Sequence, residues 1–371
     1  MKKWVSTVGS LMMATTLGLV GCSSGTQAPK QEAGGTSQVA STPASAAPAA
    51  PAAPASKNLT IYTAYPEQEA VVYIDEFKKA TGIEAKFVRL SAGETLVRLQ
   101  AEKGNPQASI WYGGPSDTFI AAAKEGLLEK YKPQNADKIP ENFQDKDGYW
   151  SPVYVGALGF AVNSDWLKKS GIPAPESWDD LLKPEYKGNV TMAHPGSSGT
   201  SYTVLATLVQ IMGEDKAFNY FKKLNENIRQ YTKSGSAPAK QAGLGETGVG
   251  ISFAHDILAP KNEGYPLTLS FPKEGTGYEV GAVALIKNGP ADEVENAKKF
   301  IDWAITKEAQ DLYETSKSFR LPVNPDATVP EGATKLTDLK VINYDAVWAG
   351  ENRDALVKKF ESQVRGKEGV K

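Results

Sequence analysis

Two kinds of residue cluster in this sequence are equipped for chemistry. The first recurs four times, at Thr63-Ala64-Tyr65, Ser91-Ala92-Gly93, Gly113-Gly114-Pro115-Ser116 and the run from His194 to Ser201. Each is small and hydroxylated, and several open directly into a helical pattern. Backbone N–H groups at a helix N-terminus, joined by Ser and Thr hydroxyls, make an anion site without lysine or arginine. The run Ser197 to Ser201 offers the best set, with donors, a glycine for close approach and an apolar helix behind it. Ordinary N-capping explains any one such loop equally well. Four of them are harder to explain that way.

The second kind is Phe253-Ala254-His255-Asp256, where one strand end delivers an imidazole and a carboxylate. Adjacent residues of a continuing strand face opposite ways, so both serve one cleft only if the chain turns here. Ile257-Leu258-Ala259 reads as the start of a short helix, which makes an N-cap the competing role for Asp256. Glu279 follows Gly275-Thr276-Gly277-Tyr278 and either brings a second carboxylate to the cleft or stands as a surface charge. Carboxylates accept hydrogen bonds from vicinal hydroxyls, at roughly 1.5–3 kcal/mol for each charge-assisted bond. Such groups beside an N–H nest describe a site for a phosphorylated polyol. Tyr62, Tyr65, Trp111 and Tyr112 either add a stacking wall or pack in the core.

Composition narrows the field. The chain has 371 residues and a formal net charge of −2, without the basic face of a nucleic-acid binder. Cys22 is the single cysteine and His194 and His255 the only histidines, so a disulfide, a thiolate site and a multi-histidine metal centre are excluded. No HExxH, GxxxxGK[ST] or GxSxG motif occurs. A Ser-x-x-Lys at Ser270 to Lys273 contains Pro272, which argues against a helical nucleophile. No cofactor and no metal is expected.

The elements that must position these clusters alternate along the chain. Strands are expected at 58–63, 84–90, 109–112, 154–163, 188–193, 249–253 and 279–286. Helices are expected at 69–80, 95–102, 200–212, 216–226 and 292–305. That alternation indicates βαβ units and a parallel sheet, whose ligands bind beyond the carboxyl ends of the strands. Ahead of the first strand, Lys2 and Lys3 precede an apolar run from Val8 to Val20, too short to span a bilayer. Leu19-Val20-Gly21-Cys22 fits a lipobox, so residues 1–21 read as a lipoprotein signal peptide and Cys22 as the lipidated N-terminus. Residues 22–57 then form an Ala/Pro/Ser-rich disordered tether. Its reach lies between roughly 30 Å as a coil and about 100 Å extended.

The lipobox, Leu59-Thr60-Ile61-Tyr62 and Phe77-Lys78-Lys79-Ala80-Thr81-Gly82-Ile83 resemble the substrate-binding lipoproteins of ABC importers. Ser91-Ala92-Gly93-Glu94, Trp111-Tyr112-Gly113-Gly114 and Ser198-Gly199-Thr200 are similar to the ferric-ion-binding branch of that superfamily. Ala297 to Asp302 and Arg320-Leu321-Pro322-Val323-Asn324-Pro325 look like its closing helix and late turn. The resemblance runs from about Asn58 to Pro325. It implies an α/β, two-lobed periplasmic binding protein fold of type II-like architecture, with a hinge of crossing strands near 154–160 and 267–281. Residues 58–153 plus 276–325 would form lobe 1, and 154–275 plus 326–371 lobe 2.

Ferric binders of this branch carry a tyrosine pair where this chain has His255-Asp256, which weighs against iron. Members that bind hexose phosphates are similar in having a His-Asp pair here and a glutamate at the position of Glu279. That resemblance assigns sugar hydroxyls to His255, Asp256 and Glu279, and phosphate to Ser198, Gly199 and Thr200, assisted by Ser91 and Thr63. It implies an extracytoplasmic, lipid-anchored monomer that delivers a phosphorylated metabolite to an ABC permease and its ATPase, with no enzymatic activity. Ferric ion, 2-aminoethylphosphonate and thiamine are the alternative ligands within the branch. An extracytoplasmic phosphatase using His255 and Asp256 is the alternative from another class, although no activated nucleophile accompanies the pair.

Overall fold

The computed structural model describes residues 57–365. The expected leader, Cys22 and the tether up to residue 56 lie outside the described residues.

Strands β1 (Asn58–Thr63), β2 (Glu84–Arg89) and β3 (Ile110–Pro115) are mutually parallel, with β1 in the middle. Next to β3 the direction reverses. β10 (Tyr278–Ile286) runs antiparallel to β3, and β5 (Ser151–Asn163) antiparallel to β10. β5 is 13 residues long and buried throughout, because it belongs to two sheets. From Ser151 to Ala157 it pairs with β10, and from Leu158 to Val162 with β8 (Val249–Phe253). β9 (Leu267–Ser270) lies along its other edge there. Beyond β8 come β6 (Val190–Ala193) and β7 (Ile228–Thr232), parallel again. Two short strands, β4 (Leu128–Glu129) and β11 (Leu321–Pro322), pair with β10 and β5.

The expectation of a parallel sheet therefore holds within each lobe and fails at the strands that join them. A chain that crosses into the second lobe along β5 must come back, and it returns through Thr276-Gly277 into β10. The two crossings touch: the Leu158 N–H donates to the Gly277 carbonyl at 3.0 Å, and Thr276 Oγ1 to the Leu158 carbonyl at 2.8 Å.

Each lobe has its own apolar core. In the first, the helix Glu67–Thr81 and the helix Val294–Ala304 cover one sheet face, with Phe77, Tyr112 and Phe300 fully enclosed. Ala297, Phe300, Ile301 and Ala304 follow the i, i+3, i+4, i+7 spacing that puts them on one helix face. Burying a phenylalanine in this way contributes roughly 1.5–3 kcal/mol. The helix Glu67–Thr81 carries Glu67 and Glu69 in its first turn and Lys78 and Lys79 in its last, in accord with the helix dipole. Gly82 ends it at φ 72°, its N–H donating to the Lys78 carbonyl at 2.8 Å. The opposite sheet face is covered by the helices Ala92–Ala101 and Ser116–Lys124. In the second lobe, the helices Gly199–Met212 and Glu214–Asn227 pack with the C-terminal helix Ala346–Phe360.

The helix after β2 begins at Ala92, three residues before its expected start. Ser91 and Glu94 form a capping box, a Ser-x-x-Glu signature that the apolar periodicity alone passes over. Ala346–Phe360 was not expected at all. Its buried face runs through Ala349, Gly350 and Arg353 before Leu356 and Phe360, so a small residue and a charge interrupt the apolar stripe.

Candidate functional site

The strand-end loops of both lobes meet around one cavity. On the second-lobe side, β6 ends at Ala193 and the chain turns through His194–Ser197 into the helix Gly199–Met212. Ser198 is its N-cap, its Oγ accepting from the Ser201 N–H at 3.3 Å. Capping and cavity-facing are therefore both true of Ser198. Gly199 and Thr200 stand in the first turn, where N–H groups have no intrahelical acceptor, and both line the cavity. Gly199 is obligatory for packing, since a Cβ there would lie 2.5 Å from Pro115 Cδ and 3.0 Å from Ala92 Cβ of the first lobe.

On the first-lobe side, Ser91 faces the same cavity. Its N–H donates to Glu94 Oε2 at 3.0 Å, and its Oγ accepts from Arg89 Nη1 at 3.1 Å. Arg89 also donates through Nη2 to Ser234 Oγ at 2.9 Å, bridging the lobes. The candidate anion site is thus not free of basic side chains, contrary to the reading of the loops. Arg89 closes β2 and projects beside Ser91. Thr63 is not brought to the cavity. Its hydroxyl donates to the Tyr112 carbonyl at 2.9 Å and accepts from the Tyr65 N–H at 3.3 Å, which binds β1 to β3.

His255 and Asp256 share the cavity with Glu279 because the helix Ala254–Asn262 starts earlier than expected. Phe253 is its N-cap, so Asp256 is a first-turn residue and not the cap. Successive helical residues lie about 100° apart, whereas strand neighbours oppose each other. Gly156 admits the imidazole, since a Cβ there would lie 2.5 Å from His255 Nδ1. Glu279 is the β10 partner of Gly156, and it is buried, not a surface charge. His255 Nε2 stands 3.5 Å from Glu279 Oε1 and 3.8 Å from Asp256 Oδ1. These separations exceed good hydrogen bonds, so the three groups surround a point and do not satisfy one another. His255 Nδ1 has no partner among the described residues.

Arg320 completes this end. It is 3% exposed, lines the cavity, bonds Glu69 and places Nη2 3.5 Å from Asp256 Oδ1. Burial, and then the Arg320 charge, hold the His255 imidazole well below its usual range, so it is neutral. Burial pushes Asp256 up to about 6, against the pull of Arg320, with Glu69 adding to the rise and Arg89 opposing it. Glu279 is driven well above the carboxylate range by burial; Arg320 opposes this, while Asp256 and Asp117 reinforce it. Burial thus favours the uncharged forms of Glu279 and His255, while Asp256, pushed up to about 6, is mostly ionised at neutral pH. That set donates and accepts, as a hydroxyl-rich ligand requires.

The aromatic residues named from the sequence pack in the core. Tyr65 packs edge-on or tilted against Tyr73, Tyr112 and Tyr154, and Trp111 lies 4.0 Å from Phe119 in a stacked pair. Four contributors escaped the sequence reading. Arg89 was discoverable, standing at a strand end two residues before a named loop. Arg320 belongs to the late turn, but nothing in its spacing marks it. Gly235 and Ser236 line the cavity after β7, an edge strand whose half-exposed Ile-Arg-Gln-Tyr-Thr carries little apolar signal. Among the described residues, no group of three or more His, Cys, Asp or Glu is arranged to hold a metal ion.

Residues 116–348 match the family model described as bacterial extracellular solute-binding protein. The periplasmic binding protein AfuA from Actinobacillus pleuropneumoniae, solved with exogenous fructose-6-phosphate bound, is 42% identical with a TM-score of 0.81, covering 84% of this chain and 99% of that one. The periplasmic binding protein P5PA is 35% identical with a TM-score of 0.80, covering 83% and 99%. The ferric binding protein from Campylobacter jejuni, 23% identical with a TM-score of 0.69 over 82% and 98%, shares the fold. With its two-lobed α/β architecture and inter-lobe cavity, the chain belongs to the family of bacterial extracellular solute-binding proteins.

Proposed function

We propose that this protein is the receptor of an ABC importer and captures a hexose phosphate between its lobes. One observation carries the reading: a single cavity joins a helix N-terminus flanked by Arg89 to the group His255, Asp256 and Glu279. The N–H groups of Gly199 and Thr200, with Ser198, Ser91 and Arg89, take the phosphate. His255, Asp256 and Glu279 take the ring hydroxyls. Fructose 6-phosphate in the 42% identical AfuA supports this ligand class. Thr63 supports the site only through the strand it fixes. The protein acts as a receptor and not as a phosphatase, in keeping with the periplasmic binding proteins to which it is 42% and 35% identical. Cys22, outside the described residues, carries the lipid that keeps the receptor near its permease.

A thermal-shift panel of glucose 6-phosphate, fructose 6-phosphate, 2-aminoethylphosphonate, thiamine and ferric citrate tests the ligand, with released phosphate measured alongside. A hexose phosphate at a hundred times its dissociation constant should stabilise the protein by about 2.7 kcal/mol, with no phosphate released. Stabilisation by another member of the panel alone would reassign the ligand, and steady phosphate release would make the protein an enzyme.

A further inference from the structure

We propose that Arg320 couples recognition of the ligand's hydroxyl end to closure of the two lobes; this rests on the sugar-phosphate reading of the cavity. Arg320 belongs firmly to the first lobe. The next residue, Leu321, pairs with Val155 of β5. The guanidinium bonds Glu69 on the helix Glu67–Thr81 and lies over two tyrosine rings, 4.7 Å from the centre of Tyr65 and 5.0 Å from that of Tyr154. The turn that presents it is unusual: Lys317 and Phe319 adopt φ 53° and 59°, a left-handed conformation that side chains other than glycine rarely take. Strain of this kind persists where the surrounding structure demands a particular presentation.

From the second lobe, Arg320 meets one ion-pair partner among the described residues, Asp256 at 3.5 Å. That separation is longer than a charge-assisted hydrogen bond. Arg320 Nε is buried and makes no hydrogen bond among the described residues, although the residue borders the cavity. A guanidinium carries five donors in a rigid fork, and here the first lobe does not use them all. A ligand hydroxyl at this end accepts from Arg320 and donates to Asp256, replacing a long ion pair by two short bonds that span the lobes. Inorganic phosphate, held at the far end by the helix N-terminus, has no atom to make this bridge. Arg320 thereby gives hydroxylated phosphates an advantage that depends on closure, beyond what either lobe offers separately.

The test uses Arg320→Gln and Arg320→Lys, the latter keeping a charge beside Glu69 should the former fail to fold. Affinities for fructose 6-phosphate and for inorganic phosphate are measured by calorimetry. Inter-lobe distances come from spin labels at Lys103→Cys and Lys223→Cys in a Cys22→Ser background. Both Arg320 variants should bind fructose 6-phosphate at least tenfold more weakly, bind inorganic phosphate within twofold of the parent, and lose most of the ligand-induced shortening. The ligand-free distance should also lengthen in both. Equal losses for the two ligands, or distances like the parent's, would overturn the proposal. If the parent protein gives no heat with fructose 6-phosphate, the ligand reading falls, and the ligand-free distances alone decide the role of Arg320.

Discussion

Asp256 sits where binding and stability pull in opposite directions. In the folded protein it holds its proton up to about 6, well above its ordinary 3.8. The folded state therefore keeps a proton between those values that the unfolded chain has released. The stability this contributes is complete below about pH 4 and is lost as the pH rises through about 6. Asp256→Asn should accordingly make the ligand-free protein more stable at pH 7.5, by on the order of 1–3 kcal/mol, and leave it little changed at pH 4. Urea unfolding at the two pH values checks this, and a less stable variant at pH 7.5 would mean that the Arg320 pairing dominates. In the ligand-bound protein the sign reverses. Asp256→Ala and Glu279→Ala should each weaken fructose 6-phosphate at least tenfold while moving inorganic phosphate less, as calorimetry would show. The types of these residues made their chemistry legible in the sequence. Their partner Arg320 was not, because the contact joins positions 64 residues apart through a turn whose shape no local pattern announces.

At the scale of elements, the site depends on how closely loops approach one another. A Cβ on Gly235 would collide with Thr200 Oγ1 and come within 3.0 Å of Ser198 Oγ. Gly235→Ala should displace the first turn of the helix Gly199–Met212 and cost tenfold or more in affinity for both fructose 6-phosphate and inorganic phosphate. Calorimetry with the two ligands distinguishes this uniform loss from the selective loss at the hydroxyl end. Strand β8 and the helix Gly199–Met212 were readable because apolar runs and punctuating glycines frame them. The start of the helix Ala254–Asn262 was not, and that start decides whether Asp256 caps the helix or faces the cavity. The C-terminal helix escaped for a different reason. Its inward face sets Ala349, Gly350 and Arg353 ahead of Leu356 and Phe360, and Arg353 braces the His194–Ser197 turn from behind, donating to the Pro195 and Gly196 carbonyls at 3.3 Å each.

For the whole molecule, the lobes of the described structure meet directly. The Glu94 N–H donates to the Ser197 carbonyl at 3.1 Å, and a Cβ on Gly93 would fall on the Gly196 carbonyl oxygen. Gly93→Val should leave each lobe folded but hold them apart, because its clash arises only against the other lobe. The spin-label distance should then fail to shorten with fructose 6-phosphate; normal shortening would show that this contact does not limit closure. The alternation of strands and helices announced βαβ units, but not the reversal at β10 and β5, since strand direction follows from topology and leaves no mark on composition. What unites these scales is a cavity with a helix N-terminus and Arg89 at one end and His255, Asp256 and Glu279 at the other, for which we propose anion and hydroxyl binding respectively. Calorimetric titration of fructose 6-phosphate into the protein, with inorganic phosphate release followed in the same cell, tests that most directly. The account predicts one ligand bound per chain, far more tightly than inorganic phosphate, with none hydrolysed. Binding no stronger than that of inorganic phosphate would contradict it.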